Sequence, residues 1–210
     1  MRKASAFSLL ELLIVITIIV IMASLMGPTL NSALRGTALT QGTDKVLGVL
    51  SLAHQTAITK AQTVEVRFYS YMNVETPGDT GQGHAIQAFS VDDGGNYSPL
   101  MKAQILPNTV IMVNNTNLST LMGQTNAAAP AAYAIPRVKN NYSCASFQYY
   151  RGGSTSLAAA ANAPNAWTIT VVNLTDMMGV NSNATTLPLN YATVVIDPYN
   201  GSLKTYRPHL

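Results

Sequence analysis

From Leu12 to Met26 the chain reads Leu-Leu-Ile-Val-Ile-Thr-Ile-Ile-Val-Ile-Met-Ala-Ser-Leu-Met. Counted from Phe7, the run is about 20 residues of nearly unbroken apolar character, enough to span a hydrocarbon core as a helix. One carboxylate, Glu11, sits inside it. A charged side chain in a membrane-length helix costs roughly 2.5–3.5 kcal/mol on insertion scales, so such residues generally have a partner and a task. Glu11 is therefore the first candidate functional residue. Arg2 and Lys3 precede the run, and the positive-inside rule keeps them in the cytoplasm while the rest of the chain is sent outward. A secretory signal peptide shares the basic start and the apolar run, but Glu11 and the lack of a small-residue cleavage site after the run count against it. An uncleaved ordinary anchor stays open.

Residues Lys3-Ala-Ser-Ala6-Phe7-Ser8-Leu9-Leu10-Glu11-Leu12-Leu13-Ile14-Val15 resemble the class III signal of type IV pilins and type II secretion pseudopilins. The resemblance implies cleavage between Ala6 and Phe7 by a membrane-embedded aspartic peptidase, followed by N-methylation of Phe7. It also implies that Pro28 occupies a position where the family often carries a helix-weakening proline. Ala6 departs from the usual glycine, which predicts slower processing. The spacing has a physical rationale. Cleavage creates a cationic amine on Phe7, and Glu11 lies one helical turn further in. When subunits stack with a small axial offset, Glu11 of one meets the Phe7 amine of its neighbour and offsets the cost of burying both charges. The partners so implied are a prepilin peptidase/methyltransferase, other pilin or pseudopilin subunits met through the N-terminal helix, and the inner membrane, crossed once with the C-terminal part outside.

Between Thr29 and about Lys60, Leu39, Val46, Leu50, Ala53 and Ala57 recur at helical spacing, flanked by Leu47 and Ile58, so one stripe faces a partner. With the apolar run this predicts one helix of ~80 Å, interrupted at Gly27-Pro28 and weakened by Gly36, Gly42 and Gly48. The expected organisation is a leader over 1–6, a transmembrane half-helix over 7–28, an extramembrane half over 29–60 and a β-rich domain over 61–210. His54 lies at the margin of the stripe and reads as a structural histidine.

After Lys60 the period changes to alternation. Thr63–Tyr71 carries Val64, Val66 and Phe68 on one face and Glu65, Arg67 and Tyr69 on the other. Further strands are expected at Ala85–Val91, Thr109–Val113, Cys144–Tyr150, Trp167–Asn173, Thr193–Asp197 and Ser202–Tyr206. The last two are joined by an Asp197-Pro-Tyr-Asn-Gly201 turn in which Gly201 suits a positive φ. The fold class is α+β, a long N-terminal helix packed on a C-terminal antiparallel sheet. The low-complexity stretches Ala127–Ala132 and Leu157–Pro164 read as mobile loops or partner-facing insertions. Leu47–Val66 is similar to the helix-to-strand junction of minor pseudopilin H and FimT-type proteins, and Val194–Arg207 to their last hairpin. The chain also resembles the Verru_Chthon cassette protein D group of prepilin-type proteins.

Charge and chemistry add little. Arg2 and Lys3 account for two of the 12 basic residues, and without them the excess over 9 acidic residues nearly vanishes. A near-neutral domain argues against nucleic acid held on a broad basic face, although some FimT-like proteins bind DNA through C-terminal basic residues and Lys204, Arg207 and His209 lie there. Cys144 is the single cysteine, so neither an internal disulfide nor a multi-cysteine metal site is available. Asp92-Asp93-Gly-Gly reads as a turn. Gly152-Gly153-Ser154 lacks the P-loop lysine, and no nucleophile motif accompanies Gln82-Gly-His84. No catalytic residue, cofactor or metal is expected, and the function indicated is structural.

Overall fold

The computed structural model describes residues 8–73, 75–76, 78–124, 142–159, 164–177 and 186–208, with the backbone alone of 25–32 and 159. Helix α1 runs from Leu9 to Thr59. It continues through Gly27-Pro28, so the expected interruption does not occur. Proline removes one backbone donor, and the helix is maintained by the turns on either side. The chain divides into two compact units, Met1–Thr37 and Ala38–Leu210.

The second unit is an α+β domain. Its strands are β1 (Thr63–Ser70), β2 (Gly83–Val91), β3 (Tyr97–Pro99), β4 (Gln104–Ile105), β5 (Val110–Met112), β6 (Ser143–Tyr149), β7 (Trp167–Asn173), β8 (Tyr191–Ile196) and β9 (Leu203–Tyr206). They form one antiparallel sheet in the order β6-β1-β2-β5-β7-β8-β9, with β3 and β4 paired to β2 off this path. The seven strands expected from alternation are present with ends shifted by a few residues. The pairs β3 and β4 are too short to show a period, and the helical turn Leu174–Met177 directly continues β7.

The helical stripe and the inward face of the sheet make the core. Leu39, Val46, Leu50, Ala53 and Ala57 are buried against Val64, Val66, Phe68, Ile86, Met112, Phe147, Ile169 and Val194. Gly42 serves this packing: a Cβ there would come within 2.6 Å of Val110 Cγ1, so the residue lets helix and sheet approach. The stretch Leu157–Pro164 is in part corrected. Leu157 belongs to a short 3-10 turn over Ser156–Ala159 and is buried in the core, whereas Ala127–Ala132 lies outside the described residues.

Candidate functional site

The helix begins with a cap. Ser8 Oγ accepts the amide hydrogen of Leu10 at 3.3 Å, and the Ser8 carbonyl accepts that of Leu12 at 3.2 Å. Ser8 and Glu11 therefore have the Ser-x-x-Glu spacing of a capping box. Glu11 is the acidic residue of the first turn of α1, where the positive end of the macrodipole favours a carboxylate. The spacing is visible in the sequence, but it is easily overlooked when Glu11 is considered only as a charge in an apolar run. Glu11 is exposed. Ala6 and Phe7 lie outside the described residues, and Pro28 is placed in the helix by its backbone alone.

Beyond Glu11 the helix is apolar on every side. The large side chains from Leu9 to Met22 are 47–89% exposed. Consecutive positions on a 3.6-residue helix cover its whole circumference, and a helix of that kind is stable only when something other than water surrounds it. The hydroxyls in the run make no demand on such surroundings. Thr17 Oγ1 donates to the carbonyls of Leu13 and Ile14 at 2.9 and 2.8 Å, and Ser24 Oγ donates to Ile21 at 2.7 Å. Glu11 is then the one side chain from Leu9 to Ser24 whose charge requires a partner. Among the described residues no helix is long and apolar enough to cross a membrane; the described side chains of this run end at Ser24.

In the second unit the ionisable groups are occupied in holding the sheet. Glu65 and Arg67, expected only as the face of β1 opposite Val64 and Val66, are each 1% exposed. Arg67 Nε donates to Glu65 Oε1 at 2.6 Å, and Gln148 Nε2 donates to Glu65 Oε2 at 3.1 Å. The guanidinium lies 4.5 Å from the Phe89 ring centroid and 4.6 Å from that of Tyr97. Burial opposes its charge, but the hydrogen bond and charge of Glu65 outweigh it and raise the pKa above the ordinary arginine value. Alternation alone cannot reveal this cluster, because the second face of β1 is covered by residues distant in sequence.

A second pair, also not foreseen, is Asp79 with His84. His84 Nε2 lies 2.7 Å from Asp79 Oδ2, which also accepts the Asn73 amide at 2.6 Å; Oδ1 accepts the amides of Gly81 and Gln82 at 3.1 and 3.3 Å. Burial disfavours the Asp79 carboxylate, yet the Asn73 hydrogen bond, the charge of His84 and the Gln82 amide prevail and hold its pKa below the usual range. The pair fastens the loop that leads into β2.

Asp92, His54 and Cys144 take the roles read from the sequence. Asp92 makes a turn, accepting Asn96 N–H at 2.7 Å on Oδ1, with Gly95 at φ 78°. His54 is structural: its Nε2 lies 2.9 Å from the Asn200 carbonyl, and its ring packs on Tyr149. Cys144 is a buried thiol whose pKa is pushed up to about 11 by burial. Lys204 and Arg207 are exposed, and Arg207 Nη1 donates to Thr40 Oγ1 at 3.1 Å; His209 lies outside the described residues. Among the described residues no group of three His, Cys, Asp or Glu side chains could hold a metal ion.

A capped, all-round apolar helix leading into an α+β domain is the architecture expected of a pilin-like subunit. Residues 1–27 match the prokaryotic N-terminal methylation motif, and the match supports a type IV pilin-like or pseudopilin subunit, a structural class. The motif implies processing by a prepilin peptidase and assembly with other pilin subunits. No curated protein and no solved structure matches the chain.

Proposed function

We propose that the chain is a minor subunit of a type II secretion-like pseudopilus or type IV pilus-like filament, cleaved between Ala6 and Phe7, methylated on Phe7 and held in the inner membrane by residues 7–28 until it assembles. The observation that carries this reading is the uniformly exposed apolar surface from Leu9 to Met22, lying within the methylation motif. Lipid and then the helices of neighbouring subunits would cover it. The assignment to a minor subunit draws on the similarity of Leu47–Val66 and Val194–Arg207 to minor pseudopilin H.

In this reading Glu11 has two tasks that a pair of variants separates. Its carboxylate stands at the position that completes a capping box with Ser8, and its charge would meet the Phe7 amine of the next subunit. Glu11→Gln keeps a side chain that can complete the box and removes the charge; Glu11→Ala removes both. Both variants should insert and be cleaved normally, and both should be depleted from filaments. Normal incorporation of Glu11→Gln would refute the charge pairing. Mass spectrometry of the mature N-terminus tests the foundation. A methylated Phe7 is expected, and a mature chain beginning at Met1 would overturn the proposal.

A further inference from the structure

The two edges of the sheet are finished differently. On β6 the outward amides of Ser146 and Gln148 are engaged, as is that of Tyr150 just past the strand: Ser146 N–H donates to the Gln124 carbonyl at 3.0 Å, Gln148 N–H to Ser156 Oγ at 3.0 Å, and Tyr150 N–H to the Ser154 carbonyl at 2.7 Å. Loops thus close that edge, as natural sheets generally do to prevent pairing with other chains. At the other edge β9 pairs only with β8 among the described residues. The register joins Ile196 to Leu203, Val195 to Lys204, Val194 to Thr205 and Thr193 to Tyr206. In the connecting turn Asp197 N–H donates to the Ser202 carbonyl at 2.9 Å. Antiparallel pairs alternate between bonded and non-bonded, so Lys204 and Tyr206 bond to β8 while Leu203 and Thr205 turn their N–H and C=O outward.

We propose that this open edge is a docking site for an extended, acidic segment of a partner protein, which adds to the sheet as a further strand alongside β9. Main-chain groups of Leu203 and Thr205 supply the pairing, and the neighbouring surface supplies selectivity. Lys204 and Tyr206, together with Trp167, Val195 and Tyr199, line an open cavity of about 410 Å³ beside the edge. An added strand would project alternate side chains over it. Asp197 also lines the cavity, but its Oδ1 already accepts the amides of Tyr199 and Asn200 at 2.9 and 3.3 Å. Lys204 and Arg207 leave the exposed end of β9 basic. Two copies of β9 laid antiparallel would bring these cations together, which disfavours self-pairing. An incoming carboxylate would instead be attracted. The site belongs to the Ala38–Leu210 unit and does not depend on processing at Phe7.

The test uses the full chain in detergent micelles and a displayed library of heptapeptides alternating Val, Ile or Thr with Asp, Glu, Lys or Ser. Acidic members should be enriched over basic ones. The best synthetic binder should slow hydrogen exchange at Leu203 and Thr205 and lose affinity as salt rises. Thr205→Pro removes an outward N–H that β8 does not use, a position at which sheets tolerate proline, and should weaken binding at least tenfold with Trp167 fluorescence unchanged. Lys204→Glu should reverse the charge preference. No enrichment, equal binding by Thr205→Pro, or protection at β6 instead of β9 would each overturn the proposal, as would self-association of the chain that Thr205→Pro abolishes.

Discussion

Breaking the Glu65–Arg67 pair should cost more than any other single polar change in the sheet domain. At 2.6 Å and an effective dielectric near 20, two unit charges attract by about 6 kcal/mol, which is comparable to the several kcal/mol needed to desolvate each ion. The intact pair is therefore close to neutral for stability, but either ion left alone is not. Glu65→Ala leaves a guanidinium between Phe89 and Tyr97 with no counter-ion. Arg67→Met leaves a buried carboxylate held, among the described residues, only by neutral groups such as Gln148 and Tyr97. Each should destabilise by about 3–5 kcal/mol. The double variant Glu65→Leu/Arg67→Met exchanges both ions for apolar groups of similar size and should fall within about 1–2 kcal/mol of the parent chain, so the coupling energy is large. Urea unfolding of the chain in detergent, followed through Trp167, measures this. Trp167 is the single tryptophan and is 1% exposed. If Glu65→Ala costs less than about 1 kcal/mol, or if the double variant costs the sum of the singles, the account of a compensated buried pair is wrong.

Asp79→Asn should destabilise the sheet domain by about 2–3 kcal/mol near neutral pH, because an amide cannot accept the three backbone amides and His84 as an ionised carboxylate does. The parent's Asp79 contribution is fully present above the ordinary carboxyl pKa of roughly 4 and is lost as pH falls through the lower folded-state value; acid titrations of stability should therefore be flatter in Asp79→Asn, and parallel curves would refute the assignment. Gly201 has φ 69°, and a Cβ there would collide with the Gly153 carbonyl and approach His54 Cδ2 to 2.8 Å. Gly201→Ala should cost at least ~2 kcal/mol, from left-handed strain of roughly 1–2 kcal/mol plus the clash, and should be read as a lower urea midpoint; an unchanged midpoint would show that the hairpin turn repacks freely.

Much of the fold is legible because it rests on local periodicity. The stripe Leu39, Val46, Leu50, Ala53 and Ala57 points one face of a helix inward wherever that helix packs, and the alternation in β1 or β7 does the same for a strand. Gly201 and Asp92 announce their turns because few residues suit those backbone conformations. The short β3 and β4 have no such signal. Helix α1 continues across Gly27-Pro28, because propensity describes a single residue's cost, whereas helix continuity also depends on the turns on both sides.

For the candidate site the division is similar. The apolar run and Glu11 fall within the N-terminal methylation motif, which is written in linear sequence, so they are informative without any tertiary structure. The Ser8-x-x-Glu11 spacing is likewise confined to one turn. The Asp79–His84 pair is also local, closed between the loop before β2 and the start of that strand, but it has no periodic signal. The Glu65–Arg67 cluster and the open edge at β9 depend on strands far apart in the chain becoming neighbours: Arg67 lies across from Gln87 and Ser146, and β9 is an edge only because nothing pairs beyond it among the described residues. Local pattern determined which segments are helix or strand and which terminus carries the processing signal. Only long-range pairing decided which charges are buried together and which backbone groups remain available to a partner, since both depend on strand order, and strand order leaves no periodic trace in the sequence.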